Sequence, residues 1–116
     1  MVDFACKTID SKELIKCTFG LNKTELDIFL ILSKSNKCEN IHSISRVMSL
    51  DRTTIQKALK KLLDNGTIER KQKNLSSGGF VFYYCIKNKE MIKEKMKTII
   101  SEWSHIAKKE IDFLFK

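Results

Sequence analysis

The chain has 116 residues, 42% hydrophobic and 31% charged, with a formal net charge of +8. That length supports one modest core, and the composition is that of a folded chain rather than a disordered one. No apolar run approaches the ~18 residues of a membrane span, and the opening stretch MVDFACKTIDSKEL carries an early acid with no extended apolar segment, so neither a span nor a secretory signal is read.

Cys6, Cys17, Cys38 and Cys85 are widely spaced and none forms a C-x-x-C pair. That fits neither a zinc ribbon nor a dense disulfide framework, so reduced, mostly buried thiols are expected. The charge is uneven. Residues 1–50 hold seven Lys/Arg against six Asp/Glu, a net +1; residues 51–87 hold eight against three, +5; residues 88–116 hold seven against five, +2. A localised excess of this kind is the electrostatic footprint of a polyanion partner. Nineteen of the 22 basic residues are Lys, which also suits a merely solvated surface.

In chain order, DSKELIKCTF (Asp10–Phe19) reads as a short helix capped by Asp10 or Ser11 and ended by Gly20. NKTELDIFLILSKS opens with Asn22 three residues before Glu25, a capping-box start, and Leu26, Phe29, Leu30 and Leu32 make it a core helix. IHSISRVM (Ile41–Met48) is a third, compact helix. A fourth follows Asp51, which suits an N-cap. Its apolar residues Ile55, Ala58, Leu59, Leu62 and Leu63 recur at spacings of three and four, and Asn65-Gly66 stops it. Then the period falls to two. TIERKQK and FVFYYCIK, joined by NLSSGG, read as a β-hairpin. From Asn88 a last helix runs without a breaker for about 26 residues, or ~39 Å at 1.5 Å per residue.

This order of parts predicts an α+β, mainly α fold: a winged helix-turn-helix with a two-stranded wing and a long C-terminal dimerisation helix. Residues 1–87 form the winged domain with its N-terminal helix, and 88–116 the dimerisation helix. The internal spacing supports it. Ile44 and Met48 are the first buried pair, Leu50 plugs the turn, and Ile55 and Ala58 are the second pair. Ser45 and Ser49 stand where the motif usually has Ala and Gly; both are small enough for close approach, but Ser49 is less comfortable than Gly at a positive φ.

With that apolar face packed, the opposite face of the fourth helix holds Arg52, Thr53, Gln56, Lys57 and Lys60, and no carboxylate lies between Arg52 and Lys61. An Arg can pair with guanine, a Gln with adenine, and Thr53 or Thr54 can meet a thymine methyl or a phosphate. The lysines would neutralise phosphates. Double-stranded DNA is therefore the expected partner, with Ser43 and Arg46 flanking and Arg70, Lys71 and Lys73 of the wing touching backbone or minor groove. The plainer alternatives are a solvated helix face and a lysine-guarded edge hairpin.

On the last helix, Ile92, Met96, Ile99, Trp103 and Ile106 share one stripe, with Ile100, Ala107, Ile111 and Leu114 beside it. A domain of this size has no surface to cover them all, so a second copy is the economical partner. Two recognition helices would then lie ~34 Å apart on a near-palindromic site. His42 and His105 are isolated, no metal-spaced cluster or nucleophile–base pair occurs, and SSGG opens a strand rather than a helix, so it is no phosphate loop. No metal, cofactor or enzymatic activity is expected. Cys17 and Cys85 lie beside or near lysines, a setting for redox sensing, but packing thiols are the plainer reading.

GLNKTELDIFLIL, ISRVMSLDRTTIQKALKKLLDNGTIERK and GGFVFYYCIKN together resemble the MarR and TrmB-like winged-helix transcription regulators of bacteria and archaea. The middle stretch is the most specific, with its D-R-T-T-[IV] helix start and N-G-[TLI]-I-E-R exit into the wing; the resemblance is good over residues 10–87. It implies a homodimeric, cytoplasmic, nucleoid-associated DNA-binding regulator, with Arg52 to Lys60 in the major groove. The chain departs from full-length sugar-sensing relatives in having no effector domain after the last helix. The resemblance allows a small effector, which the sequence does not identify, between the DNA-binding lobe and the dimer helices. Two other readings stand beside this one: a winged-helix protein–protein module of the transcription machinery, and a sequence-neutral chromosomal protein.

Overall fold

Local caps set most element boundaries in the computed structural model, which describes residues 1–35 and 37–116. A short antiparallel hairpin, β1 (Val2–Phe4) and β2 (Lys7–Ile9), precedes α1 (Ser11–Phe19). Asp10 caps α1 by accepting from the Glu13 N–H at 2.7 Å, and Gly20, at φ 62°, ends it. In α2 (Lys23–Lys34) the capping box forms in both directions between Asn22 and Glu25. The sequence reading contained neither the hairpin nor β3 (Glu39–Asn40), because strands of three and two residues are too short to display a period.

The helix-turn-helix comprises α3 (Ile41–Met48) and α4 (Arg52–Asp64). Ser49 does adopt a left-handed conformation, φ 54°, where a Cβ costs ~1–2 kcal/mol. Ser45 helps to hold the turn: its hydroxyl donates to the Leu50 carbonyl at 2.6 Å, while its own carbonyl accepts from the Ser49 and Leu50 N–H groups. A hydroxyl where the motif usually has a methyl thus becomes a fastener. Asp51 occupies the N-cap of α4 but makes no backbone cap, contrary to expectation; its carboxylate instead accepts the Thr54 hydroxyl.

After α4 the chain turns at Gly66 (φ 77°) into β4 (Ile68–Asn74), which pairs antiparallel with β5 (Phe80–Ile86) from Ile68↔Ile86 to Asn74↔Phe80. β3 joins the other side of β5, so the wing belongs to a three-stranded sheet in the order β3-β5-β4. The core gathers Ile28 and Leu32 of α2, Ile44 of α3, and Ile55, Ala58, Leu59 and Leu62 of α4, with Ile68 and Tyr84 from the sheet. The helical period read from the sequence therefore lands its apolar stripe inside.

The long helix α5 (Lys89–Leu114) spans 26 residues, capped by the Asn88 side chain accepting from the Glu90 and Met91 N–H groups. Its first turns belong to the winged domain: Ile92 is in the core, Met96 and Ile99 pack against it, and α5 runs beside α1. Farther along it leaves that support, and the molecule measures 68 × 24 × 24 Å.

The cysteines depart from expectation. Cys38 and Cys85 form a disulfide, while Cys6 and Cys17 are exposed thiols. The cause is register. Pairing of Glu39 with Tyr84 and Asn40 with Tyr83, carried one residue further, sets Cys38 opposite Cys85 with Cα atoms 4.5 Å apart. The two lie 47 residues apart in sequence, so spacing alone gave no sign of it.

Leu62 is fully buried where α4 meets the rest of the core. Leu62→Ala is expected to lower unfolding stability by ~2–5 kcal/mol through lost burial and a residual cavity, measured as a drop in urea midpoint at unchanged slope. A loss within ~0.5 kcal/mol, the range of surface substitutions, would contradict its place in the core.

Candidate nucleic-acid interface

Burial of Ile55, Ala58, Leu59 and Leu62 leaves Arg52, Thr53, Gln56, Lys57, Lys60 and Lys61 exposed on the other side of α4. That face divides into two rows. Arg52, Gln56 and Lys60, each four residues from the next, look toward the wing and line a cleft of about 740 Å³ between α4 and the sheet. Thr53 and Lys57 lie on the row outside it. Thr54 is half-buried, and its hydroxyl is engaged by Asp51.

The wing cations divide in the same way, because side chains alternate along a strand. Arg70 sits opposite Tyr84 and one step from Phe82, and its guanidinium lies 4.2 Å from the centroid of the Phe82 ring. Stacking of this kind holds a long side chain in place and contributes ~0.5–1 kcal/mol at an exposed site. Arg70, Phe82 and Tyr84 form the wing-side wall of the cleft, with Leu59, Leu63 and Ile41 adding apolar surface. Lys71 and Lys73 alternate onto the opposite strand face, across from Tyr83 and Val81. Lys71 also lies 3.6 Å from the Glu69 carboxylate. The fold thus brings Arg70 together with Arg52, Gln56 and Lys60, and sets Lys71 and Lys73 apart from them.

One acid enters the cleft. Asp64, at the end of α4, pairs with Lys60 at 3.2 Å, an exposed i,i+4 bridge of small energetic weight. It sits where α4 ends, so its charge touches one end of the basic row. Arg46 of α3 is exposed; Ser43 is half-buried, and its N–H donates to the Asn40 cap at 2.8 Å. His42 is exposed at the start of α3. Among the described residues no group of three or more His, Cys, Asp or Glu is placed to hold a metal, and no helix is long and apolar enough to cross a membrane.

Phe82, Tyr84 and Asp64 were not read from the sequence as parts of this surface. The alternation of FVFYYCI gives a strand and its faces, but which face looks at α4 depends on the register with β4 and on the exit angle at Gly66.

The stripe on α5 divides into a covered and an open part. Ile92 is 8% exposed, covered by its own domain, so it has little surface to offer a partner copy; Met96 and Ile99 are already half-covered in the same way. The open apolar surface begins later, with Ile100, Trp103 and Ile106, and continues through Ile111, Phe113 and Leu114 to Phe115. Trp103 and Ile106 are each more than 60% exposed.

A profile described as "Sugar-specific transcriptional regulator TrmB" matches residues 15–90, from α1 into the start of α5. A possible transcriptional regulator from Methanosarcina mazei Go1 is 30% identical; its structure superposes with a TM-score of 0.84, covering 97% of this chain and 94% of that one. The uncharacterized protein MJ1503 of Methanocaldococcus jannaschii is 29% identical over 109 residues, 94% of this chain and 82% of its own length. The ST1889 protein of the archaeon Sulfolobus tokodaii shares the fold at 21% identity, with a TM-score of 0.71 over 83% of this chain and 93% of that one. The family profile spans both halves of the helix-turn-helix and the whole wing, and on that match the chain belongs to the TrmB family of transcriptional regulators.

Proposed function

We propose that this protein is a sequence-specific, double-stranded DNA-binding transcription regulator that works as a homodimer, with α4 in the major groove and the wing against the backbone or minor groove. The observation that carries this reading is the convergence of Arg52, Gln56 and Lys60 of α4 with the stacked Arg70 of the wing on one exposed surface. A duplex backbone rewards clustered cations, and the absence of acid from Arg52 to Lys61 limits repulsion as the helix enters the groove, with Asp64 at its far end already paired to Lys60. Arg52 and Gln56 carry the donors that read guanine and adenine edges, Thr53 offers a methyl and a hydroxyl, and Lys57 supplies a phosphate contact. Lys71 and Lys73 reach phosphates from the outer strand face. Thr54 and Ser43 contribute through the backbone frame rather than by free side chains, since the Thr54 hydroxyl is taken by Asp51 and Ser43 is half-buried. Arg46 flanks the site from α3.

Self-association is supported by the uncovered end of α5. Trp103, Ile106, Ile111 and Leu114 present more contiguous apolar surface than an isolated chain keeps in water, and a second α5 offers the matching face. A dimer built there would set two α4 helices on successive turns of one DNA face, reading a near-palindromic site. Only the half of α5 beyond Ile99 remains for that contact.

Two measurements test these halves separately. Selection from a random duplex pool at ~150 mM salt is expected to enrich an inverted repeat, and Arg52→Ala should cost ~1–3 kcal/mol at one base position per half-site. Retention without any motif would indicate a sequence-neutral protein, and no retention a protein-binding module. Trp103→Ala with Ile106→Ala is expected to shift the chain from dimer to monomer in sedimentation velocity with little change in helix content. A wild type that sediments as a monomer at high micromolar concentration would sink the dimer.

A further inference from the structure

The Cys38–Cys85 bond lies on the side of β5 remote from the α4 cleft, in a recess of about 260 Å³ lined by Leu32, Ser35, Lys37, Ile86, Lys87 and Lys89. Both cysteines are half-exposed and both line this open recess. Lys37, Lys87 and Lys89 give the lining three cations, and the acid at its edge, Glu39, accepts from the Ser35 hydroxyl at 3.2 Å. A protein that acts on DNA shares its compartment, where thiols are held reduced and disulfides are commonly transient or sensing; this clause rests on the function proposed above.

The position of the bond gives it mechanical leverage. Cys38 immediately precedes β3, whose Asn40 caps α3, and α3 supports α4. Cys85 lies in β5, whose neighbours Phe82 and Tyr84 wall the α4 cleft. Among the described residues, the strand pairing of β3 with the wing consists of Glu39 with Tyr84 and Asn40 with Tyr83, and the disulfide stands beside it. The covalent link therefore clamps the entrance of the helix-turn-helix to the wing, closing a loop that contains α3, α4 and β4.

We propose that Cys38–Cys85 is a thiol–disulfide exchange site for an anionic dithiol, and that its state sets how firmly the wing is held against the helix-turn-helix. A thiolate of the dithiol attacks one cysteine sulfur, the Cys38–Cys85 bond breaks, and the other cysteine leaves as a thiolate that takes a proton. The second thiol of the reagent then attacks the mixed disulfide, closes its own disulfide and releases the second cysteine. Two electrons and two protons pass to the pair, and the reverse exchange restores the bond. Lys37, Lys87 and Lys89 draw the anionic reagent in.

The full chain, without denaturant, is exposed to graded dihydrolipoate or, in parallel, to dithiothreitol, then alkylated and weighed. The pair is expected to open in the folded protein. Dihydrolipoate should hold a rate advantage that shrinks as salt rises from 20 mM to about 500 mM, because added ions screen the lysines. Amide exchange in β3 and β5 is expected to rise on reduction, and retention of the selected duplex to fall roughly five- to tenfold as the wing must be ordered on binding. The Cys38→Ser, Cys85→Ser double variant should match the reduced wild type and ignore the reagents; if it does not fold, reduced wild type carries the comparison alone. A pair that opens only in denaturant, or amide exchange identical in the two states, would overturn the proposal by making the bond a plain staple. If the pair opens and β3 loosens while neither state retains DNA, the clamp stands and the DNA-binding reading fails.

Discussion

The corner between α4 and β4 is the constraint on which the rest depends. Thr67 is fully buried there, its hydroxyl shared between the Leu62 carbonyl (3.2 Å) and the Asn65 side-chain oxygen (2.7 Å). Its N–H donates to the same two partners, and its carbonyl accepts from the backbone N–H of Lys87, just past the end of β5. The Lys95 ammonium of α5 reaches across to the Asn65 carbonyl. A helix end would otherwise leave orphan carbonyls in the core. Here those groups are satisfied by the first residue of the wing and by the long helix. α4, the wing and α5 therefore share one joint, and the angle at which the wing leaves α4 is set by hydrogen bonds rather than by the loop alone.

That joint explains why the candidate surface is a cleft and not two separate basic patches. With β4 launched from Thr67, Arg70 falls on the strand face toward α4 and stacks on Phe82. Lys71, one residue on, is turned away. Arg70, the wing cation facing α4, is ordered by the Phe82 ring beneath it, whereas Lys71 and Lys73 stand exposed on the outer strand face. Ordered donors suit discrimination between bases, and loosely held ammonium groups suit the sequence-independent attraction of a backbone. The Lys95 link also gives α5 a direct hold on the end of α4.

Much of the fold was legible because its signals are local. Asn22 and Glu25 start α2, Asn88 starts α5, Gly20 and Gly66 stop helices, and the spacing of Ile55, Ala58, Leu59 and Leu62 identifies the buried face of α4; each rests on residues within a turn or two of one another. The same spacing identifies the exposed face, and so Arg52, Gln56 and Lys60. Asp51 marks the edge of that method. The residue type suits a cap, but the Thr54 hydroxyl competes for its carboxylate, and sequence gives no measure of which donor wins.

What the sequence determined by itself is the helices and the two strands of the wing, the buried stripe and the basic stripe of α4, and the excess of apolar surface on α5, because period and capping depend on neighbours along the chain. Tertiary structure decided everything that depends on pairing between distant segments. The register of β3 on β5 joins Cys38 to Cys85, the register of β4 on β5 divides Arg70 from Lys71 and Lys73, and the docking of the first turns of α5 on the core removes Ile92 from the free face. A one-residue shift in either strand register would send alternate side chains to the opposite face without altering any local signal. Packing distinguishes such registers, and packing is a property of the folded chain.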